Sequence, residues 1–391
     1  MLAWRRYPNS RTRPHLSSIL TTFRRTVFAR GRAGLAVLAL GMLASASTLA
    51  VEFRPDGIPA QQISRDPADP NAPSQYFMGI FSGSTHGIYY YVASSICEAM
   101  RARYDEHRIR CAPFRSQGVS SNRSLMNQGR AQFAIVQSDT NYYAATGQTP
   151  ILGARSVLSL HDETGVLVSG PTTPFSGPDD LGQQPLRLNL APEGSAANAL
   201  WLQYLESLEV TPVALGTVLG FAQDLNYEGL CTNFIDVFAL WSGHPVPALE
   251  RAVERCGAQL FGLWHPRLDS LLADRPYYYD SELPAGTYPG QTTPLRSYGV
   301  KASLIAHEQT DPYIVYWVTR VLIENVDFVR SRHPSLITLD PRQMFERGNF
   351  LPFHEGARYF WDQLGWEPPA PPPEVREAIE REAILLPPPS R

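Results

Sequence analysis

The chain has 391 residues, of which 43% are hydrophobic and 18% charged, a balance typical of a folded globular protein rather than a disordered one. This length exceeds what one hydrophobic core usually serves, so we expect two lobes. Residues 1–50 hold eight arginines and no acidic residue, which leaves 26 basic against 37 acidic residues and a net charge of −11 in the remainder. Such an acidic chain lacks the basic footprint of nucleic-acid-binding proteins, so nucleic acid is excluded as a partner.

The N-terminus has the pattern of an export signal. Arginines precede an apolar run at 33–43, and small residues follow it as far as Ala50. The run spans about 11 residues, whereas a transmembrane helix needs roughly 20. We predict that residues 1–50 are a signal peptide and that the mature protein is periplasmic. An uncleaved signal anchor, which would tether the chain to the membrane, is the alternative.

The four cysteines of an exported chain are expected to form disulfides. Three pairings are open, and Cys97 with Cys111 and Cys231 with Cys256 are the pairs closest in sequence; each would tie a helix to the neighbouring strand. No C-x-x-C motif or histidine cluster accompanies them, which disfavours a metal site. We expect neither a metal nor a cofactor.

After a proline-rich linker at 51–75, strands and helices alternate along a first lobe at 76–165. The helical spacing of Ile88, Val92, Ile96 and Met100 is one example. The predicted order is a strand at 76–81, a turn at 82–87, a helix at 88–103, a strand at 109–114, a polar turn at 116–120 that opens a helix, and a strand at 133–137. Repeated β-turn-α units of this kind predict an α/β fold with a parallel sheet.

The second lobe, at 166–297, repeats the same alternation. A strand at 157–160 ends the first lobe, and further strands are predicted at 165–168, 186–190, 234–240 and 259–263, with helices at 198–208 and 246–256. A return segment at 298–366 holds a strand at 298–306 and a helix at 312–329. Residues 367–391 begin proline-rich and continue as a short amphipathic helix, which we interpret as a surface tail.

Polar turns follow the predicted strands, and in α/β sheets ligands collect at the carboxyl ends of strands. Here these ends carry residues 82–85, 116–120 and 137–139. The 82–87 turn lacks the spacing of a nucleotide-binding loop, so a small-anion cradle or an ordinary strand–helix turn remains. Asp139 is also suited to capping the next helix. Tyr288, in a turn of glycine and proline, is our candidate for an aromatic side chain in the cleft.

An exported enzyme is a competing hypothesis, with His86 or His244 activating Ser84. No G-x-S-x-G motif occurs, and the histidines are scattered along the chain. A serine activated by a histidine within hydrogen-bond reach would favour the enzyme. We therefore predict a binding protein and not an enzyme.

Taken together, these motifs resemble a known family. The chain is similar to the solute-binding receptors of the TAXI group of TRAP transporters, the tripartite ATP-independent periplasmic transporters. The similarity covers about residues 76–366, and its stretches occur in the family's order: G-I-F-S-G-S-T-H-G-I-Y-Y (79–90), A-I-V-Q-S-D (134–139), I-D-V-F-A-L-W-S-G-H-P (235–245), L-P-A-G-T-Y-P-G-Q (283–291) and L-P-F-H-E-G-A (351–357). The two cysteine pairs also look like the family's.

This resemblance implies a two-lobed α/β fold of the type II periplasmic-binding-protein class, with a central cleft for glutamate, glutamine or a dicarboxylate. It implies delivery of this small anionic solute to a TRAP-type membrane permease, and we expect a monomer. A sensor that presents its closed form to a signalling partner is the alternative. Carried onto this sequence, the resemblance and the cleft aromatic together predict ligand contacts from Ser82, Gly83, Ser84, Thr85, Tyr89, Gln137, Ser138, Asp139, Ser195, Gly243, His244 and Tyr288.

Two positions depart from the family's pattern. His86 stands where the family usually has glycine, and it would narrow the cleft or add a hydrogen-bond donor. The second-lobe turn, 194–197, lacks a threonine often found there. No arginine forms a recognisable carboxylate clamp, so hydroxyls, amides and backbone N–H groups would have to hold the anion.

Overall fold

The computed structural model describes residues 74–385. The predicted signal peptide, nearly all of the linker and residues 386–391 lie outside the described residues. The strands are β1 (Tyr76–Phe81), β2 (Ile109–Phe114), β3 (Phe133–Gln137), β4 (Ala154–Ser169), β5 (Leu186–Asn189), β6 (Gly216–Leu219), β7 (Val237–Ser242), β8 (Gln259–Gly262), β9 (Tyr279–Leu283) and β10 (Leu295–His307).

The helices lie between and after these strands. They are α1 (Ile88–Ala102), α2 (Tyr104–His107), α3 (Val119–Asn127), α4 (Ser138–Ala145), α5 (Ala196–Ser207), α6 (Asn226–Cys231), α7 (Pro247–Cys256), α8 (Leu268–Asp274), α9 (Pro312–Glu324), α10 (Val326–Arg330), α11 (Pro341–Glu346), α12 (Glu355–Gln363) and α13 (Pro373–Leu385). Short 3₁₀ turns occur at Pro178–Asp180, Pro212–Leu215, Gln223–Leu225 and Pro334–Leu336.

The predicted α/β class is confirmed, and the described strands form one sheet in the order β2-β1-β3-β10-β4-β7-β5-β6, with β8 beside β4 and β9 beside β10. Strands β1, β2 and β3 are parallel and form the first half of the sheet. Strands β5, β6 and β7 are parallel and form the second half. The two halves are joined by β4 and β10, which pair with each other in antiparallel orientation.

Strand β4 differs from the sequence-based expectation. Two strands, at 157–160 and 165–168, were expected, whereas β4 runs unbroken for 16 residues. The polar residues 161–164 resemble a loop in sequence, but β10 and β7 supply hydrogen bonds to their backbone. Similarly, the helix expected at 312–329 is divided at Asn325 into α9 and α10. Strands β6 and β9 were not expected, because short, partly polar strands give little periodic signal.

Both cysteine pairs closest in sequence form disulfides, Cys97 with Cys111 and Cys231 with Cys256. The first ties α1 to β2, as expected. The second joins the ends of α6 and α7, so its expected helix-to-strand placement is wrong. Both partners of the second bond lie at helix C-termini, and the sequence pattern had predicted only the helix that ends at Cys256.

The C-terminal segment is not the surface tail that we expected. Val375, in α13, is fully buried and belongs to the hydrophobic cluster that also holds Trp201, Tyr277 and Tyr298. Helix α13 packs against α4. A single apolar contact of this kind leaves no periodic signal in a charged segment, which is why the sequence pattern missed it.

The carboxyl ends of strands from both halves arrive at the middle of β4. In the second half, Ser242 at the end of β7 pairs with Thr164. In the first half, Gln137 at the end of β3 pairs with Ala302 of β10, and the neighbouring Lys301 pairs with Asp162. The pairing shifts by one residue between Lys301 and Ser303, a bulge that re-aims side chains at this point. The topology thus brings both sets of strand ends to residues 160–164.

Candidate functional site

A buried polar cluster lies at this junction, and we call it the β4 cluster: Tyr89, Gln137, His161, Glu163 and Gly243. The Gln137 amide donates a hydrogen bond from Nε2 to Glu163 Oε2 at 2.7 Å. His161 Nε2 lies 3.7 Å from Glu163 Oε1. Gly243 packs against the same imidazole, since a Cβ on it would lie 2.6 Å from His161 Cδ2. Residues from β3, β4 and the end of β7 therefore meet in one place.

Burial sets the charge of the β4 cluster. Burial raises the pKa of Glu163 to about 8, although the hydrogen bond from Gln137 opposes the shift. Burial also lowers the pKa of His161 to about 3. At neutral pH the cluster therefore holds a protonated carboxyl group and a neutral imidazole. Both groups have a proton to donate, and neither repels an anion.

Several polar atoms of the β4 cluster lack hydrogen bonds within the described part of the chain. They are the Tyr89 hydroxyl and both ring nitrogens of His161. The Glu163 carboxyl group lies beside the Tyr89 hydroxyl and, after burial, is the main cause of its raised pKa, but the geometry is not that of a hydrogen bond. A buried polar atom without a partner costs about 1–3 kcal/mol, so these atoms are suited to meeting a ligand or water.

The turn after β1 contacts the second half of the molecule directly. Ser84 Oγ donates to Asp224 Oδ2 at 3.0 Å, across 140 positions of sequence. Asp224 lies in the 3₁₀ turn Gln223–Leu225. Ser84 Oγ also accepts a hydrogen bond from the backbone N–H of His86 at 3.2 Å. Its partners are thus a carboxylate and a backbone amide, which is not the serine–histidine pair of an activated nucleophile.

Other predicted residues of the first half bond to the protein itself. Ser82 is buried, and its hydroxyl donates to the Phe114 carbonyl at 2.7 Å. Ser138 Oγ donates to the Tyr277 carbonyl and accepts from the Lys301 backbone N–H, each at 3.0 Å. Gly83 packs beside Tyr89, whereas Thr85 is exposed. Ser82 and Ser138 therefore shape the turns, while Gly83 lies next to the β4 cluster.

Asp139 is buried in the first turn of α4. Its Oδ1 accepts a hydrogen bond from the Thr140 backbone N–H at 2.6 Å. Burial raises the pKa of Asp139 to about 6. The capping position of α4 is occupied by Gln137, so the expected capping role of Asp139 is wrong, although its carboxylate still bonds to the first turn.

In the second half, Ser195 caps α5 by accepting from the Asn198 backbone N–H at 3.1 Å. Tyr288 is buried, and its hydroxyl accepts from the Val246 backbone N–H at 2.8 Å. That hydroxyl lies 2.6 Å from His244 Nδ1, and His244 Nε2 lies 3.0 Å from the Thr164 carbonyl. The expectation that Tyr288 is a cleft aromatic is therefore wrong, because its hydroxyl finds both partners inside the core.

The neutral state of His244 follows from these contacts. Burial lowers the pKa of His244 to about 4. A neutral imidazole that donates from Nε2 to the Thr164 carbonyl must accept at Nδ1, and the Tyr288 hydroxyl supplies that proton. The chain Val246–Tyr288–His244–Thr164 thus ties the 288 loop to β4 and positions the turn that carries Gly243.

Sequence reasoning missed the two most buried ionisable members of the β4 cluster, His161 and Glu163. The available signal was the polar run His161-Asp162-Glu163-Thr164 between two apolar stretches. Because this run resembles a loop, it suggested no site. In a strand, side chains alternate between the two faces, so His161 and Glu163 lie on one face and Asp162 and Thr164 on the other.

Residues 74–385 contain no grouping of three or more His, Cys, Asp or Glu side chains that could hold a metal ion. Within the same range, no helix is both long and apolar enough to cross a bilayer.

Comparison with known proteins was made at the levels of structure and of sequence. The chain is similar to the solved structure of MatC from Rhodopseudomonas palustris with bound malate, at 16% identity and a TM-score of 0.49, over 79% of this chain and 98% of that one. It is also similar to the alkanesulfonate-binding protein SsuA from Xanthomonas axonopodis pv. citri bound to MOPS, at 12% identity and a TM-score of 0.41, over 80% and 92% of the two chains.

A third similar structure is the periplasmic aliphatic sulphonate binding protein SsuA from Escherichia coli, at 12% identity and a TM-score of 0.41, over 80% of this chain and 87% of that one. A search of curated protein sequences found no match. Residues 80–365, well over half of the chain, match the sequence profile of the NMT1-like family, and the chain therefore belongs to that family.

Proposed function

We propose that this protein is a periplasmic solute-binding receptor that captures a small carboxylate at the β4 cluster and delivers it to a TRAP-type permease of the TAXI group. The observation that carries the proposal is the convergence of strand ends from both halves on the middle of β4. Gln137 ends β3, and Gly243 follows β7. A site built from both halves can couple ligand binding to their closure.

The chemistry of the β4 cluster supports an anionic ligand. His161 and Glu163 are buried and neutral at pH 7, so their protons are available to a carboxylate. The Tyr89 hydroxyl adds a further donor without a hydrogen-bond partner among the described residues. Neutral donors in a buried site can hold an anion without the strong field of a paired cation.

The predicted division into lobes belongs to the same proposal. Residues 76–165 would form the first lobe, 166–297 the second, and 298–366 the return. Strands β4 and β10, which run between the two halves of the sheet, would act as the hinge. In this proposal Ser84 and Asp224 meet as the lobes close, because their hydrogen bond joins the two halves.

A ligand screen on refolded protein, which is free of any solute carried through purification, tests the proposal. Glutamate, glutamine, malate and succinate are compared by thermal shift and calorimetry. At 100 times Kd, a ligand stabilises the folded state by about 2.7 kcal/mol. If no carboxylate stabilises the refolded protein or binds in the calorimeter, the proposed function is wrong.

Tyr89→Phe locates the binding event. The variant removes only the hydroxyl of the β4 cluster, and we expect the affinity to fall by about tenfold, which corresponds to about 1.4 kcal/mol. Tyr90→Phe, at the next position of the same helix α1, is the matched control and should bind as the parent does. Equal affinity in both variants would place the ligand elsewhere.

A further inference from the structure

A cavity lies on the opposite face of β4 from the β4 cluster. Strand alternation directs Asp162 away from the face that carries His161 and Glu163. Asp162 Oδ1 pairs with Lys301 Nζ at 2.7 Å, and Lys301 lines this cavity of about 750 Å³. The volume lies within the range of about 300–1,000 Å³ typical of small-molecule sites. The two sites would therefore share β4 and β10 without sharing a chamber.

The walls of the cavity are aromatic and proline-rich. The lining includes Tyr277, Tyr278, Tyr279 and Phe350, together with residues 368–372 of the C-terminal segment. Burial of Val375 anchors that segment to the core. Aromatic and proline side chains of this kind would cover much of the surface of a flat apolar ligand, as small-molecule pockets do.

The charged groups of the cavity favour an anion. Lys301 is paired with Asp162, Arg358 with Asp362 at 2.6 Å, and Glu346 with Arg342 at 2.6 Å. Arg347 also lines the cavity, and its guanidinium forms no ion pair within residues 74–385. An arginine that has no carboxylate partner and lies beside aromatic side chains is suited to binding a planar anion. Its planar guanidinium group can donate two parallel hydrogen bonds to such an anion.

We propose that this cavity is a second ligand site, distinct from the β4 cluster, for a small aromatic carboxylate whose ring lies between the tyrosines and the prolines and whose charge pairs with Arg347. Benzoate is the probe for this chemistry. Benzyl alcohol, of similar size but uncharged, is its control.

The sequence offers a single-site reporter for the test, because Lys301 is the only lysine in the chain. Acetic anhydride then modifies the chain amines only at Lys301 and at the N-terminus. Peptide mass spectrometry follows the rate of modification at each. Benzoate in the cavity should slow the acetylation of Lys301 at least fivefold and leave the N-terminal rate unchanged, whereas benzyl alcohol should slow neither.

Variants at Arg347 test whether benzoate binding depends on the charge of this side chain or only on the space in the cavity. Arg347→Gln should weaken benzoate binding, measured by calorimetry and by Lys301 protection, at least tenfold, whereas the affinity of Arg347→Lys, which keeps the charge but loses the fork, should lie between those of Arg347→Gln and the parent protein. Arg130→Gln, an exposed arginine beside Gln128 in the first half, is the matched control. Tyr89→Phe should bind benzoate unchanged, because it alters only the β4 cluster.

Three results would overturn the proposal: no protection of Lys301 at millimolar benzoate, equal binding by Arg347→Gln, or loss of benzoate binding in Tyr89→Phe alone. The last would assign benzoate to the β4 cluster. Failure of the proposed receptor function is recognised separately, since it concerns glutamate, glutamine, malate and succinate and their dependence on Tyr89.

Discussion

At the scale of single residues, the chemistry of the candidate site depends on how β4 buries ionisable side chains. Glu163 and His161 are both almost fully buried and have pKa values displaced in opposite directions, one raised to about 8 and the other lowered to about 3. In each case the low polarity of the surroundings disfavours the charged form. The result is a site that is neutral at pH 7 although it is made of an acid and a base.

The raised pKa of Glu163 predicts that stability falls as the pH rises towards 8. The folded protein retains this proton up to about pH 8, while the unfolded chain releases it near 4.5, so the free energy of unfolding falls as pH rises between these values. The lowered pKa values of His161 and His244 act in the opposite direction, but only below about pH 6.5. Between pH 6.5 and 8, stability should fall by up to about 1.4 kcal/mol per pH unit.

Glu163→Gln removes this titration and keeps the hydrogen-bonding shape. Denaturant unfolding from pH 6 to 9 should show a flatter pH dependence for the variant than for the parent protein. Glu282→Gln, at an exposed position of β9, is the control and should retain the parent's slope. Identical slopes in parent and Glu163→Gln would contradict a raised pKa at Glu163.

Gly243→Ala tests the close approach of the two halves at the β4 cluster. The added Cβ would lie 2.6 Å from His161 Cδ2 and 2.9 Å from Ser335 Cβ, so the imidazole or the 3₁₀ turn at Pro334–Leu336 must move. We expect a loss of about 1–3 kcal/mol in unfolding free energy and weaker carboxylate binding. Gly220→Ala is the matched control, because its Cβ would meet nothing closer than 3.6 Å. Equal stability of the two variants would disprove the tight contact.

At the scale of secondary-structure elements, β4 contributes to the candidate site, whereas the disulfides contribute to stability. Strand β4 supplies His161 and Glu163 and connects the halves, while the disulfides join α1 to β2 and α6 to α7 and include no residue of the β4 cluster. Their separations of 14 and 25 residues close short loops that restrict the unfolded chain. Their contribution should therefore be to stability and not to ligand chemistry.

The double variant Cys97→Ser and Cys111→Ser should lower the free energy of unfolding by about 3 kcal/mol, because closure of a 15-residue loop restricts the unfolded state by about this amount. Denaturant titration measures the loss, and carboxylate affinity at a temperature where the variant is folded should not change. In the presence of a reductant, the denaturant midpoint of the parent protein should equal that of a variant that lacks all four cysteines. A loss of affinity without a loss of stability would contradict this separation of roles.

At the scale of the whole molecule, the Ser84–Asp224 hydrogen bond connects the first turn to the second half. Asp224→Ala removes the acceptor, and we expect carboxylate affinity to fall about two- to tenfold, since an intramolecular hydrogen bond contributes about 0.5–1.5 kcal/mol. Small-angle X-ray scattering should show a smaller ligand-induced decrease in radius of gyration. Asp224→Asn keeps an acceptor oxygen, so its carboxylate affinity should lie between those of Asp224→Ala and the parent protein. If Asp224→Ala leaves both the affinity and the scattering unchanged, the Ser84–Asp224 hydrogen bond does not contribute to lobe closure.

Much of the fold was predictable from local patterns. Helical spacing predicted α1, and apolar runs predicted β1, β2 and β3 at or near their observed bounds. Strand β4 was predicted as two pieces, because the polar residues 161–164 acquire their partners only from β10 and β7, far away in sequence. The predicted turn residues Gly83, Gln137 and Gly243 lie at or beside the β4 cluster, whereas Tyr288 lies in the core.

The sequence by itself determined the α/β alternation, the acidic composition and the polar turns that follow the strands, because these depend on residues close together in the chain. Only the tertiary structure decided that His161 and Glu163 are buried together, that Tyr288 faces inward and that Val375 anchors the C-terminal segment. Burial and pairing depend on neighbours that are distant in sequence, so no local pattern records them. The pKa values of Glu163 and His161 follow from that burial, and the chemistry of the site was therefore decided by the fold.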